Sequence, residues 1–448
     1  MAEPVSEAWH IRPNGPLVGE VQVRGSKNAV TKHMIAAMLG TRPSTITNAP
    51  DVGDVGITAD ILTSLGVGVE LEDDRITIHP VEKPGSHVPL EFSGLNRIPI
   101  LLLGPLLARN HEAFVPFVGG DRIGRRPVDF HIAALEAMGA EVTVSSEGVS
   151  AKAAKLHGAQ ITLPYPSVGA TETVLLSAVL AEGRTVLRNA ALEPEVTELA
   201  LFLQRMGARI GFKPDRRIII EGVDELGGAT TRLQGDRLEA FSYLVAGLMT
   251  GGQVRVAGCS QDRLVTAIDT LQKMGARFEI TDDHISAHAA DGLRPVAVQT
   301  DTHPGFMTDW QPPLIVLMTQ ADGMSVIHET VYEDRLGYVR ELTAMGAEVE
   351  LFDTCLGGPA CRFHDTNALH SAVVRGVSKL RGAEVTIPDV RAGFSSVIAA
   401  AVADGPSTLY GIHHLERGYN RPFETLESLG LKLERVPVAQ PPSSPSDR

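Results

Sequence analysis

Basic residues are the first shortage. Lysine and arginine number 40 against 54 aspartates and glutamates, a formal net charge of −14. A phosphate-backbone partner normally demands a basic face, so no nucleic-acid partner is expected. A local cluster of cations can still attract a small anion inside an acidic protein. Long hydrophobic runs are missing too. The longest apolar stretches, such as residues 98–108, are too short for a bilayer and are broken by Gly104 and Pro105. The opening MAEPVSEAWHIRPNGPL has no basic region ahead of an apolar run. Neither a membrane span nor a secretory signal is expected. Cysteine is scarce: Cys259, Cys355 and Cys361 are all there are, which suits a reduced, cytoplasmic protein. Cys355 and Cys361 lie six positions apart with no second cysteine pair, so the zinc spacing rules give no metal site. No Walker A, HExxH, nucleophile-elbow or GxGxxG pattern occurs, which leaves ATP chemistry unsupported. The pair His413–His414 reads as structural.

What is present is an ordinary globular balance, 43% hydrophobic and 21% charged over 448 residues, enough for two or three domains with sizeable cores. One phrase recurs: SLGVGVEL (64–71), AMGAEVTV (137–144), RMGARIGF (205–212), KMGARFEI (273–280), AMGAEVEL (344–351) and SLGLKLER (428–435). Each has a helix-like segment before it and an alternating strand after it. The glycine fits a left-handed residue that ends a helix. Between copies stand apolar, small-residue segments such as TVLLSAVLAEGRTVLRNA and AFSYLVAGLMTGGQVRVAG. These read as helices buried on all sides, each followed by a turn and a strand. Six such units imply an α/β protein. Three per domain is the simplest division: residues 24–234 form one domain, and 1–23 with 235–436 the other. The Pro/Ser-rich residues 437–448 are expected to be disordered.

Charged residues crowd the starts of the buried helices. Lys27 and Asn28 open the first, Arg97 the second, Thr171 and Glu172 the third, Arg237 and Glu239 the fourth, Asp309 the fifth and Arg391 the sixth. If all six N-termini face one cleft, their dipoles make it a place for anions. The stretch VGGDRIGRRPVDFH (118–131) adds Asp121, Arg122, Arg125 and Arg126 among glycines. Residues 118–127 therefore read as a mobile loop able to close over a substrate.

Seven segments, GSKNAV, GGDRIGRRPVDFH, PSVGATE, TDWQ, ETVYEDR, DVRAG and ERGYN, appear in an order that resembles the UDP-N-acetylglucosamine 1-carboxyvinyltransferases, the enolpyruvyltransferases. The resemblance spans about residues 10–436. It implies two inside-out α/β barrel domains, each of three βαβαββ-type repeats, with an interdomain cleft. It also implies transfer of the enolpyruvyl group of phosphoenolpyruvate to the 3′-hydroxyl of UDP-N-acetylglucosamine with release of phosphate, without metal or organic cofactor. That is the first committed step of peptidoglycan synthesis.

The resemblance carries over residue by residue. Lys27, Asn28, Arg126, Arg335, Arg391 and Arg417 match the phosphoenolpyruvate-binding set, and Asp309 matches the general base. Arg97, Arg126, Pro127, Val128, Asp129, Phe130, Ser167, Val168, Gly169 and Val331, with Asn28 and Asp309, match the side that holds the nucleotide sugar. Catalysis falls to Lys27, Asp121, Asp309 and Arg417. Most members have cysteine in the Gly-Gly-Cys loop as proton donor, where this chain has Asp121. A carboxylic acid can donate a proton but cannot supply a thiolate to an epoxide, so resistance to fosfomycin is expected. Gly53 and Tyr165 stand where relatives often have basic residues. Those two departures leave an acceptor such as UMP open, in an enzyme of antibiotic biosynthesis. A non-catalytic UDP-sugar-binding paralogue is the third reading.

Overall fold

A computed structural model describes residues 6–121, 123–124, 127–356 and 361–438. The chain is a mixed α/β protein of two compact units. The first comprises residues 24–120 and 127–234; the second comprises the residues up to Val23 and from Gly235 onward. Asp121, Ile123 and Gly124 belong with the second unit, so the stretch 118–127, expected to act as one loop of the first domain, is divided. The backbone N–H of Asp334 donates to Ile123 O at 3.4 Å. A Cβ on Gly124 would come within 2.5 Å of Glu333 Oε2.

The first unit contains α1 (Lys27–Ala37), α2 (Gly53–Ser64), α3 (Leu103–Asn110), α4 (Asp129–Ala137), α5 (Val168–Ala178) and α6 (Pro194–Arg205). The second contains α7 (Arg237–Thr250), α8 (Val265–Lys273), α9 (Gln311–Met318), α10 (Val339–Ala344), α11 (Val390–Val402), α12 (His413–Glu416) and α13 (Pro422–Ser428). The apolar segments of the sequence become α1, α3, α5, α7, α9 and α11. In α7 every residue from Arg237 to Met249 is buried. These helices pack on one another within each unit, α3 on α5, and α7, α9 and α11 mutually. Small residues permit the approach: a Cβ on Gly104 would lie 2.0 Å from Ser177 Oγ. Each unit has its own apolar core, one running from Ala29 to Leu233 and the other from Trp9 to Leu433.

The recurring glycines do what their position in the phrase requires. Gly66, Gly139, Gly207, Gly275, Gly346 and Gly430 all adopt φ between +83° and +114°, a left-handed state that glycine reaches without a Cβ clash. Each ends a helix of the outer set and starts an edge strand.

Among the described residues the strands form six separate open sheets rather than closed barrels. Five share one plan: an edge strand runs parallel to its neighbour, followed by two antiparallel strands. In the sixth, built on Glu112–Pro116, a parallel bridge from His87 to Phe114 replaces the edge strand. Two edge strands each complete a sheet of their own unit just before the chain passes to the other. Val18–Gln22, just ahead of α1, pairs with Gln253–Ala257 of the second unit. Thr230–Arg232, just ahead of α7, pairs with Ser44–Thr47 of the first. The N-terminal strand Ser6–Arg12 lies between Ser407–Tyr410 and Lys432–Val438. That pairing corrects the expected tail: Pro437 and Val438 are in the ladder opposite Glu7 and Ser6, and residues 439–448 lie outside the described set. Among the described residues no helix is long and apolar enough to cross a membrane.

Candidate active site

In the first unit the site begins at the N-terminus of α1. Ser26 caps it, its Oγ accepting from Asn28 N at 3.2 Å. Capping frees Lys27 to turn aside, and its Nζ meets Asp54 Oδ2 at 2.9 Å. Asp54 is 2% exposed and Lys27 22%, so the carboxylate is committed to the protein while the ammonium keeps some water. Asn96 joins them, with Nδ2 3.5 Å from Asp54 Oδ1 and Oδ1 accepting from Ile98 N at 3.0 Å. The next residue, Arg97, donates from Nη2 to Pro127 O at 3.2 Å. Val128, Asp129 and Phe130 follow at the start of α4.

The N-termini of α4 and α5 are brought side by side through His131. Its Nδ1 lies 2.7 Å from Thr173 Oγ1, and a Cβ on Gly169 would sit 2.9 Å from its Cε1. Burial, aided by the charge of Arg97, pushes the His131 pKa down to about 3, so the ring is neutral. Ser167 caps α5 through Ala170 N at 3.3 Å. Lys27, Asn28, Arg97, Pro127–Phe130 and Ser167–Gly169 thus line one run of contacts within this unit. Adjacent helix N-termini offer backbone N–H groups to an anion.

In the second unit the site is a cluster of buried guanidinium and carboxylate groups. Asp309 sits on the helical turn Thr308–Trp310 ahead of α9. Its Oδ1 accepts from Arg335 Nη2 at 3.0 Å, and Arg391 Nε lies 4.0 Å from its Oδ2. Arg335 also reaches Asp389 Oδ1 at 3.6 Å. Asp389 caps α11, accepting from Arg391 N and Ala392 N at 2.8 and 3.0 Å. Arg335 and Arg391 are 1% and 5% exposed. Burial works against the Arg335 charge, but Asp389, Asp309, Glu329 and Asp121 more than offset it and raise its pKa. Asp121 therefore lies within the field of this cluster. Arg391 also covers the Tyr419 ring at 5.1 Å.

Glu329 organises the neighbouring turn. Its Oε1 accepts from Val331 N at 2.7 Å and Tyr332 N at 3.1 Å, and its Oε2 accepts from Thr308 Oγ1 at 2.9 Å. This fixes Val331 beside the Thr308–Asp309 turn. Two donors in the cluster, Arg335 Nε and Arg391 Nη1, are buried without a hydrogen-bond partner among the described residues. Leaving a charged donor unmatched is costly, and an anionic ligand would remove that cost.

The family model described as EPSP synthase (3-phosphoshikimate 1-carboxyvinyltransferase) matches residues 11–426. A UDP-N-acetylglucosamine 1-carboxyvinyltransferase of Chlamydia abortus is 46% identical over 94% of this chain and 97% of its own. The protein of that name from Nocardia farcinica is 40% identical over 97% of this chain and 100% of its own. The chain belongs to the UDP-N-acetylglucosamine 1-carboxyvinyltransferase family. Among solved structures, the enolpyruvyl transferase NikO from Streptomyces tendae superposes with a TM-score of 0.86 at 25% identity, covering 97% of this chain and all of NikO.

Within this family frame, the residues read from the motifs fall into two sets. Lys27, Asn28, Arg97, Pro127–Phe130 and Ser167–Gly169 gather in the first unit. Asp121, Asp309, Val331, Arg335 and Arg391 gather in the second. Arg417 closes α12, which packs on α11. Arg126 lies outside the described residues, as do Arg122 and Arg125. Gly53 opens α2 directly before Asp54, and Tyr165 O accepts from Ser167 N at 2.7 Å.

Motif reading passed over the residues that brace these groups: Asp54, Asn96, Glu329 and Asp389. Asp389 carried a usable signal, since an aspartate two residues ahead of a helical arginine is an N-cap pattern. Glu329 stands inside ETVYEDR, but its role needs the fold of the turn after it.

Proposed function

We propose that this chain transfers the enolpyruvyl group of phosphoenolpyruvate to the 3′-hydroxyl of UDP-N-acetylglucosamine and releases phosphate, a reading in keeping with the carboxyvinyl transfer for which its relatives from Chlamydia abortus and Nocardia farcinica are named. The observation that carries the reading is Asp309 flanked by Arg335 and Arg391, with Asp121 in the same field. A doubly anionic three-carbon donor needs several fixed cations, and planar guanidinium groups match phosphate and carboxylate in pairs of hydrogen bonds. The unmatched Arg335 Nε and Arg391 Nη1 are available for that task.

In this mechanism the sugar oxygen forms a bond to C2 of phosphoenolpyruvate while C3 gains a proton from Asp121. Asp309 takes the hydroxyl proton, and Asn28 orients the hydroxyl. Lys27, Arg126, Arg335, Arg391 and Arg417 hold the donor's anionic groups as charge develops at C2. The tetrahedral adduct then returns a C3 proton to the Asp121 carboxylate as the C2–O bond to phosphate breaks, leaving the enolpyruvyl ether and free phosphate. Arg97, Pro127–Phe130, Ser167–Gly169 and Val331 hold the nucleotide sugar. Each domain is built in this reading from three βαβαββ-type repeats, with helices inside and sheets outside.

The deciding experiment mixes the purified chain with phosphoenolpyruvate and either UDP-N-acetylglucosamine or UMP, and follows phosphate. Release with the sugar nucleotide is expected. Release with UMP alone would transfer the chain to an antibiotic-type acceptor, and release with neither would favour a binding paralogue. Because Asp121 offers no thiolate, brief exposure to fosfomycin should leave the rate unchanged; loss of activity with an adduct on Asp121 would refute that.

A further inference from the structure

Four hairpins of this fold close tightly, through residues 73–74, 145–147, 214–216 and 281–283. The hairpin between strands Glu348–Phe352 and Ser371–Gly376 instead runs through residues 353–370. Its described residues, 353–356 and 361–370, hold no helix or strand, and a connection of that length is uncommon in a compact domain unless something ties it down.

The ends of three neighbouring strands supply candidates for the tie. His328 ends Gly323–His328, His370 immediately precedes Ser371–Gly376, and Cys355 follows Glu348–Phe352, with Cys361 further along the connection. One ligand-capable atom from each of His328, Cys355, Cys361 and His370 lies within 4.8 Å of all the others. Cys355 Sγ is 3.8 Å from Cys361 Sγ and 3.5 Å from His370 Nε2. In a tetrahedral zinc site, Zn–S bonds of about 2.3 Å and Zn–N bonds of about 2.0–2.1 Å put those edges at about 3.8 and about 3.5 Å. A disulfide would need the sulfurs at about 2.05 Å, and both thiols are free.

The imidazoles are already set as ligands. His370 Nδ1 lies 2.8 Å from Ala368 O, and His328 Nδ1 3.3 Å from Gln299 Oε1. Donation from each Nδ1 leaves each Nε2 as a lone pair, the usual outer contact of a metal-bound histidine. Both rings are fully buried, and His328 Nε2 has no hydrogen-bond partner among the described residues. Phe363 N donates to Cys361 Sγ at 3.3 Å, stabilising a thiolate there. His364, which is exposed, also approaches Cys355 Sγ, at 3.8 Å.

We propose that His328, Cys355, Cys361 and His370 bind a structural zinc ion that fastens the 353–370 connection to its sheet. Two thiolates and two imidazoles in a tetrahedral array select zinc over harder cations. Four protein ligands leave no open position, so the ion holds structure and takes no part in turnover. Binding displaces the protons of both thiols, and the two thiolates balance the dication. The tie has a local consequence: Arg362, one residue beyond Cys361, donates from Nη2 to Val331 O, so the ion steadies the turn that carries Val331. Cysteine spacing alone gave no metal site because the two histidines come from other strands.

The test uses the full chain, purified under reducing conditions without chelator. Elemental analysis should find one zinc per chain. Cobalt added to the metal-free chain should give the visible absorption of a tetrahedral thiolate site. Cys355→Ser and His328→Asn should each lose the stoichiometric zinc, while His364→Ala should retain it. A fully reduced wild-type chain that takes up neither zinc nor cobalt overturns the proposal, whether or not the variants fold. Loss of zinc in His364→Ala overturns the ligand set.

Discussion

The two units share a three-sheet plan but carry their charge differently. At the start of α1, Lys27 is partly wet and paired to one buried carboxylate. In the other unit Arg335, on the turn ahead of α10, and Arg391, at the start of α11, are buried outright among Asp309, Asp389 and Asp121. Lysine resists burial as a cation: Lys32, four residues past Asn28, has its pKa lowered by burial despite the nearby Glu172. Glu172 answers with a pKa raised by burial to about 7. Arginine stays charged without water. One unit thus holds its positive charge permanently, and the other holds groups whose charge depends on pH.

The largest effect should come from the permanent cluster. Asp309→Ala removes the proposed base, and general-base catalysis supplies about 10²–10⁴-fold. The fold should survive, since Arg335 keeps Asp389 at 3.6 Å. A drop of that size in kcat with an unchanged circular dichroism spectrum is expected. A variant retaining most of its rate would place the base elsewhere, and the contrast between units would lose its catalytic meaning.

Next in size is Arg391→Lys. It preserves the charge but removes the planar fork. Lysine also loses the face that covers Tyr419. Hydrogen bonds to charged groups are worth about 1.5–3 kcal/mol, so the KM for phosphoenolpyruvate should rise by about 10- to 100-fold. An unchanged KM would mean that any cation serves there, and the distinction between arginine and lysine would fail.

How much of this was legible beforehand depends on the range of the interaction. The six glycines were readable because a left-handed helix end is a local demand, and each copy repeats it. The buried helices were readable because apolar and small residues dominate them, with only isolated polar residues such as Lys32, Glu172 and Ser242 between. The membership of Val18–Gln22 in the second unit was readable from the order of the repeats, but its partner Gln253–Ala257, and that of Thr230–Arg232, were not, because a parallel pairing of five or three residues leaves no pattern in its own sequence. The partners of Lys27 and Arg335 come from Asp54 and Asp389, 27 and 54 positions away, and no spacing rule connects them. The charged helix starts were visible; what braces each one was not.

The smallest expected effect tests the pH-dependent side of the comparison. His33 in α1 is buried, stacked on Phe202 at 5.0 Å, with Nδ1 2.9 Å from Ala29 O. Burial lowers its pKa to about 4, with Lys32 and Arg205 acting in the same direction. The unfolded chain therefore binds more protons at His33 than the folded one between about pH 6.5 and pH 4, and this contribution is lost as pH falls through that window. Glu172 acts oppositely. Its folded pKa of about 7 exceeds the unfolded value of 4.5, so its contribution grows as pH falls from 7 toward 4.5. The two partly cancel in the wild type. His33→Gln should therefore gain stability relative to the wild type by about 1 kcal/mol on going from pH 7 to pH 5.5, and Glu172→Gln should lose by a similar amount. Urea unfolding at the two pH values reads both slopes. If they share a sign, the neutral histidine and the raised carboxyl do not coexist in this unit, and its pH-responsive character is wrong.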